Sequence, residues 1–450
     1  MTVKKTISTL LILSFTTVVI GAEQAAPDLR KAWALESQIL KRIQAPRFPR
    51  RDFVITDFGA VADGKTDSTE AIAKAIEECA NKGGGRVVIP AGQFRTGAIH
   101  LESNVDLHLK KHAMLLFNTD PHAYLPVVFT KFEGTELYNY SPFIYALEKT
   151  NVAVTGDGTL DGQASETNWL AWKNSPARAK LVKMGADNVP VEQRQFGEGY
   201  DLRPSFIEFN RCRNVLIEGV KIRRSPMWEL HPLLCTNVTV RGVNIISHGP
   251  NNDGCDPESC RDVLIEKCLF DTGDDCIAIK SGRNNDGRRV GVPSVNLIIR
   301  KCTMRDGHAG TAIGSEISGS CSNVFVEKCE MSSSNLVCAL RLKSNAMRGG
   351  VLQNIFMRKV KVGIVKDSVL QIDFLYGEGA DGNFKPVAKN VVMNNISVSR
   401  TPRVLNVRGF PAADISDVRI YNSVFKQIQK PDEVIDADVK LVNCVLRKAK

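Results

Sequence analysis

Asp274 and Asp275 stand side by side in the run Asp271-Thr-Gly-Asp-Asp-Cys-Ile-Ala-Ile-Lys-Ser-Gly282. Adjacent carboxylates raise each other's pKa, so such a pair persists where it is exposed, paired or used. Alone, an Asp-Asp after glycine reads as a solvated turn. Its company points further. Asn251-Asn-Asp253 lies upstream, and Gly307-His308 and Arg341-Leu-Lys343 lie downstream. Carboxylates can give and take protons, a histidine can orient them, and two cations can hold a negative charge. Lys280, just after the pair, is a candidate third cation. Tyr376, in Gln371-Ile-Asp-Phe-Leu-Tyr-Gly-Glu-Gly379, could stack on a ligand ring or simply pack in the structure.

These motifs are scattered along the chain, so something must gather them. The second half repeats itself: Asn or Asp, an apolar residue, any residue, an apolar residue, two polar residues, then an apolar one. Copies start at Asn214, Asn237, Asp262, Asn296, Asn323, Asn354, Asn390 and Asp417, with weaker ones at Asn104 and Asn151. Starts fall roughly 23 to 36 residues apart in the clear copies, an internal repeat with variable loops. The alternation is that of strands rich in Val and Ile, not helices. One strand cannot bury its apolar face alone, so the copies must stack, and the economical solution is a right-handed parallel β-helix with one coil per repeat. No helical pattern separates the strands, which disfavours a leucine-rich-repeat horseshoe, and the uneven spacing disfavours a propeller.

Coiling turns spacing into geometry. From Asp253 to Asp275 to His308 to Arg341 the steps are about 22, 33 and 33 residues, about one coil each. Asp274 and His308 share one offset from their repeat starts, Asp262 and Asn296. Matching offsets on stacked coils lie on one face about 4.8 Å apart. The four motifs therefore converge. In a regular strand residues 274 and 275 would point to opposite faces, so joint use requires a break in strand geometry at Gly273–Asp275.

At these residues the chain resembles the polygalacturonase family of glycoside hydrolases (family 28). That family carries Asn-Thr-Asp, Gly-Asp-Asp, Gly-His-Gly and Arg-Ile-Lys motifs on a parallel β-helix. Here they read Asn251-Asn252-Asp253, Gly273-Asp274-Asp275, Gly307-His308-Ala309 and Arg341-Leu342-Lys343. Ala309 in place of glycine adds a Cβ beside His308. The strings YNYSPFIYA, SPMWELHPLLC, SHGPNNDGCDPESC and GTAIGSEISG look like the exo-acting branch, which removes residues from a chain end.

The resemblance implies an inverting hydrolase of α-1,4-galacturonosyl bonds in pectin, releasing galacturonic acid. Glycoside hydrolysis needs an acid for the leaving oxygen and a base for water. By this resemblance Asp274 is the proton donor, Asp253 and Asp275 hold and deprotonate the water, and His308 orients the carboxylates. Asn251, Arg341, Lys343, Lys280 and Tyr376 bind substrate, the cations clamping a galacturonate carboxylate. No cofactor and no metal are expected.

A net charge of +10 favours an anionic partner such as pectin. Nucleic acid would fit the charge, but there is no basic cluster interleaved with aromatics, no zinc spacing and no recognition helix. Lys4-Lys5, the apolar run Thr6–Ile20 and Gly21-Ala22 read as a secretory signal over residues 1–22, so export to the periplasm or beyond is expected. No later segment reads as a membrane span. Residues 23–50 form an extension with a short helix at Leu29–Ile43. Residues 51–450 form a single catalytic β-helix, expected to be a monomer. The segment Asp67-Ser-Thr-Glu70 opens a helix with Ile72, Ile76 and Cys79 on one face, a plug for the open end of the solenoid, ended by Gly83-Gly-Gly85. The insertion between Asp161 and Ser205, with Trp169 and Trp172, either packs its own aromatics or walls off the cleft.

Twelve cysteines in an exported chain invite a disulfide reading. Cys268, Cys302 and Cys329 instead share a repeat position held elsewhere by Val220, Val243, Val360 and Ile396, which makes them stacked core thiols. Cys255–Cys260 is the best candidate for a bridge. Three rival functions stay open: a family relative acting on rhamnogalacturonan or substituted galacturonan, a pectate lyase on the same architecture, and a non-catalytic pectin-binding β-helix.

Overall fold

The computed structural model describes residues 19–450, with side chains from residue 29; residues 1–18 of the expected signal segment lie outside it. The chain winds as a right-handed parallel β-helix with three strand-bearing faces. Two faces are sheets of 13 strands each, from Asp52–Val54 to Val439–Val442 and from Asp63–Asp67 to Val445–Lys448. The third is divided into four strands (Ile99–His100 to Leu230–Leu233) and six strands (Ala278–Ile279 to Glu433–Ile435). Only isolated bridges at Cys255 and Glu258 connect the two parts. The third face therefore loses its regular ladder at the coil carrying Asn251 to Asp253.

The repeat has a structural cause at each position. The leading Asn or Asp turns the corner into the first face with positive φ, from 55° to 66° between Asn104 and Asp417. Asn and Asp tolerate that region better than other side-chain-bearing residues. Their amides then bond coil to coil: Asn151 donates to Asn104 at 2.8 Å, Asn214 to Asn151 at 2.8 Å, Asn323 to Asn296 at 2.9 Å and Asn390 to Asn354 at 2.8 Å. The apolar residue after each asparagine points inward. Val215, Val238, Val263, Leu297, Val324, Ile355 and Val391 align in register and are buried. Each such side chain contributes roughly 1.5–3 kcal/mol by leaving water.

The plug helix is present at Thr69–Asn81, with Ala71, Ile72, Ala75, Ile76 and Cys79 buried against the first coils. Its start differs in detail: Ser68 makes no side-chain cap bond, and Asp67 accepts from the Thr69 amide at 2.8 Å. Gly83 and Gly84 end it with positive φ.

The leading helix is longer than the sequence indicates, Val19–Arg42, and runs across the expected boundary at residues 22 and 23. It packs outside the first sheet, where Ala32, Trp33, Ile39 and Ile43 meet a column of Leu264, Ile298, Phe325, Phe356 and Val392. The expected Cys255–Cys260 bridge is absent; all twelve cysteines are free. Cys255 and Cys260 instead face the interior among apolar residues. Cys268, Cys302 and Cys329 stack as expected. A second thiol column, Cys235 and Cys260 continued through Ser294 to Cys321, went unnoticed in the sequence.

Candidate active site

The strand Leu269–Thr272 stops one residue before Gly273, and residues 273–276 bend away from strand geometry, as joint use of the acids requires. The bend is fixed by bonds to neighbouring coils. Gly273 N–H donates to Ser247 O at 3.0 Å, Asp274 N–H to Asn252 O at 3.2 Å and Cys276 N–H to Ala309 O at 2.8 Å. Gly273 is required by close approach rather than by unusual φ: a Cβ there would sit 2.3 Å from Gly249 O.

The bend gives the two acids different surroundings. Asp274 lines a cavity of about 310 Å³ and takes the His308 imidazole Nδ1 at 2.8 Å. Asp275 is fully buried, and its Oδ2 pairs with Lys343 Nζ at 2.7 Å. Asp253, almost buried, also lines the cavity, and its Oδ1 has no hydrogen-bond partner. One oxygen from each of Asp253, Asp274 and Asp275 lies within 4.8 Å of the others. Asn252, between the two named residues of its motif, is structural: its amide donates to Ser225 O and Met227 O, each at 3.2 Å.

The remaining expected binders are drawn to the same place. Asn251 lines the cavity, with Oδ1 accepting from Arg203 at 2.7 Å. Tyr376 lies beneath both cations, 5.6 Å from the Arg341 guanidinium carbon and 5.3 Å from Lys343 Nζ, within range of a cation–π contact. The two cations are not equivalent. Lys343 is neutralised by Asp275, whereas Arg341 Nε has no hydrogen-bond partner. Lys280 is also engaged, 3.1 Å from Glu316, 3.6 Å from Asp256 and 3.9 Å from Asp253, over the Trp228 ring. It acts on the carboxylates around it more than on solvent. Ala309, the departure from the family pattern, places its methyl in a small apolar cluster with Ala278, Ala312 and Cys338.

Electrostatics separate the acids. Burial, reinforced by Asp274 and Asp256, pushes the Asp253 carboxyl well above its usual range and so favours its protonated form. Burial acts the same way on Asp274, but the His308 hydrogen bond and charge, aided by Lys343 and Lys280, outweigh it and bring Asp274 down to about 2. His308 is correspondingly raised by Asp274. Asp256, fully buried, is raised by burial.

One side of the cavity comes from segments that carry none of the four motifs. The antiparallel hairpin Val128–Phe132 and Thr135–Asn139 turns at Glu133 and Gly134, both with positive φ, as in a type I′ turn. Glu133 pairs with Arg178 at 2.7 Å and with Arg283 at 3.1 Å, and Arg283 and Arg348 converge on Glu378 at 3.4 and 3.2 Å. Arg178 belongs to the Asp161–Ser205 insertion. The tryptophans of that insertion do something else: Trp169 enters the core beside Tyr124 and Phe143, and Trp172 packs on Trp169. So the aromatics anchor the insertion and its arginine reaches the cavity. The hairpin is fastened from below by ion pairs, the buried Lys131 with Glu258 at 2.9 Å and the half-exposed Arg289 with Glu136 at 2.5 Å.

The family profile of glycosyl hydrolases family 28 matches residues 79–420, from the end of the plug helix to well past the Arg341–Lys343 motif. The chain belongs to that family. It is therefore a glycoside hydrolase. Among solved structures, the hydrolase is similar to a hyperthermoactive exopolygalacturonase from Thermotoga maritima, with 42% identity and a TM-score of 0.90, covering 93% of this chain and 96% of that one. Among curated relatives, a probable polygalacturonase of Vitis vinifera is 29% identical over 388 residues, 82% of this chain and 74% of the relative. An exo-poly-alpha-D-galacturonosidase of Dickeya chrysanthemi is 26% identical over 349 residues, 70% of this chain and 56% of the relative.

Trp228 and Glu316 line the cavity and Asp256 is buried behind them against Lys280; all three lie in strings that resemble the exo-acting branch, but nothing in their spacing assigns them roles. Glu133 had a usable signal, a Glu-Gly dipeptide between two alternating runs.

Proposed function

We propose that this hydrolase is an exo-acting polygalacturonase that removes galacturonic acid from the end of pectin chains with inversion. The observation that carries this reading is a cavity lined by Asp253 and Asp274 and bounded on one side by the Glu133–Arg178–Arg283–Glu378–Arg348 network. A through-going cleft would accept the middle of a polymer; a closed one accepts an end. The similarity to exopolygalacturonases supports the same reading.

In this mechanism Asp274 gives its proton to the glycosidic oxygen as the bond from that oxygen to the anomeric carbon breaks. A water held by Asp253 and Asp275 attacks the same carbon from the opposite face and loses its proton to Asp253. Turnover thus ends with Asp253 protonated and Asp274 ionised, the direction in which their surroundings push the two groups. The enzyme resets when that proton returns to Asp274. An anionic sugar entering beside Asp274 raises its proton affinity and drives the return. Arg341, with its uncommitted Nε, is the stronger candidate for the sugar carboxylate. Lys343 positions Asp275 and helps through its charge.

Residues 51–450 serve as one catalytic domain, after an export signal at 1–22 and an extension at 23–50, and the enzyme works as a monomer outside the cytoplasm. Chromatography of early products from polygalacturonate tests the action: monogalacturonate alone is expected, and a ladder of oligomers would refute end-specific cleavage. Proton NMR of the first-formed anomer tests inversion. The three acid oxygens are close enough to hold a cation, so the same digest with EDTA and at 235 nm separates hydrolysis from calcium-dependent elimination. Unchanged rate and no absorbance are expected.

A further inference from the structure

An end-specific enzyme must recognise what an end has and a mid-chain unit lacks. In an α-1,4-linked chain the non-reducing terminal sugar carries a free 4-hydroxyl, while every interior unit has that oxygen tied up in a bond. Steric closure alone excludes the interior but does not reward the hydroxyl. A fixed acceptor at the closed end would do so.

The placement of the motif residues says which end enters. The cavity is lined by Asp253 and Asp274, while His308 and Arg341 stand outside its lining. His308, bonded to Asp274, is half-exposed and Asp274 partly so, whereas Asp253 is almost wholly buried. The water-directing acid is therefore on the enclosed side and the open side lies past the proton donor. The sugar whose anomeric carbon is attacked occupies the enclosed side, and that sugar carries the non-reducing end.

Glu378 has the properties of the required acceptor. It lines the cavity from the loop after the strand Ser368–Asp373, and a third of its side-chain surface remains open. Its carboxylate is aimed by three partners: Arg283 and Arg348 at Oε1, and the Asn345 amide at Oε2, 2.7 Å away. Those cations keep it ionised, as the lowering of its pKa against the effect of burial also indicates. An ionised carboxylate only accepts, and each oxygen can take more than one donor. Glu133, the other acid of the wall, is nearly covered by Arg178 and Arg283 and offers far less.

We propose that Glu378 is a specificity-determining residue that accepts a hydrogen bond from the terminal 4-hydroxyl of the substrate's non-reducing galacturonate. This inference rests on the exo-acting reading. It implies that the enzyme distinguishes saturated chain ends, which hydrolysis produces, from 4,5-unsaturated ends, which elimination produces and which have lost that hydroxyl. A site built around a substrate hydroxyl discriminates strongly against the analogue lacking it.

The test compares kcat/KM for saturated and 4,5-unsaturated trigalacturonate in the wild-type enzyme, Glu378→Ala and Glu378→Gln, with thermal melts alongside. The wild type is expected to prefer the saturated substrate. Glu378→Ala is expected to lose roughly 10- to 100-fold on the saturated substrate, the range for a hydrogen bond to a charged group, with little change on the unsaturated one. Glu378→Gln, which keeps an acceptor and the shape, is expected to fall between. Equal losses on both substrates, or an undiminished preference in Glu378→Ala, would overturn the proposal. If Glu378→Ala melts early, the preference of Glu378→Gln decides, and a preference equal to the wild type overturns it. Wild-type product analysis separates the two readings. An oligomer ladder removes the exo reading and this inference with it, whereas monomer release with an unmoved preference removes this inference alone.

Discussion

The floor and the wall of the cavity are built on opposite plans. The floor takes Asp253 and Asp274, with His308 and Arg341 beside them, from successive coils of the solenoid. The wall takes Glu133, Arg178, Arg283, Arg348 and Glu378 from a hairpin, an insertion and loops, and holds them by alternating charges. On the floor the fold positions the chemistry; on the wall the side chains position each other. The first arrangement suits groups whose placement must be accurate for bond breaking. The second suits a boundary that decides what may enter.

The difference can be broken from the floor. Asp274→Asn removes the transferable proton without changing shape, and hydrolysis of polygalacturonate is expected to fall roughly 10²- to 10⁴-fold, with only a modest drop in melting temperature from the lost charge opposite His308. A reducing-sugar assay with a melt of the same sample checks both. Lys343→Met leaves Asp275 as an unpaired buried charge, since both side chains are almost wholly enclosed. Removing one partner of such a pair costs about 3–5 kcal/mol, read by denaturant unfolding, and retention of wild-type stability would mean that Asp275 finds another partner.

His308→Gln sharpens the picture through pH. His308 is raised above its ordinary 6.5, so the stability it contributes is complete below that value and is lost as pH rises through the raised one. Asp274 is lowered from 3.8 to about 2, so its share is present above 3.8 and is lost as pH falls. The variant should therefore lie furthest below the wild type between about pH 4 and 6.5 and converge with it in alkali, with activity reduced by a factor on the order of ten or more. The smallest expected change comes from the wall. Arg178 is about half-exposed, so Arg178→Ala should cost less than about 1 kcal/mol in stability. Its effect should show in the products, as oligomers appearing beside monogalacturonate; a purely monomeric product would make Arg178 dispensable to the closure.

The same contrast explains what the sequence made legible. The floor was readable because asparagines at positive φ and inward valines recur once per coil, so a spacing became a position in space. Four motifs then fell into line without any knowledge of contacts. The wall has no period. Arg178, Arg283 and Arg348 look in the sequence like any surface arginines, and only folding brings them to Glu133 and Glu378. The leading helix lay between these cases. The outward residue of each repeat is apolar in five successive coils, Leu264, Ile298, Phe325, Phe356 and Val392, but varies elsewhere, as in Asp106, Thr239 and Arg419. That run marks a covered surface, but the inward alternation that defines each strand does not single it out. The Cys255–Cys260 pairing failed for a related reason: proximity in sequence says little when both side chains face an apolar interior where stacking suffices.

Those unpaired thiols carry a further consequence. Eleven of the twelve are buried, and burial pushes several of them, Cys276 and Cys321 among them, far from the reactive thiolate form. The coiled chain is thus its own antioxidant, sealing eleven thiols inside its ladder of strands. Unwound in an aerated solution it would expose them all to non-native pairing, so its durability there would depend on how seldom it opens as well as on how well it recovers.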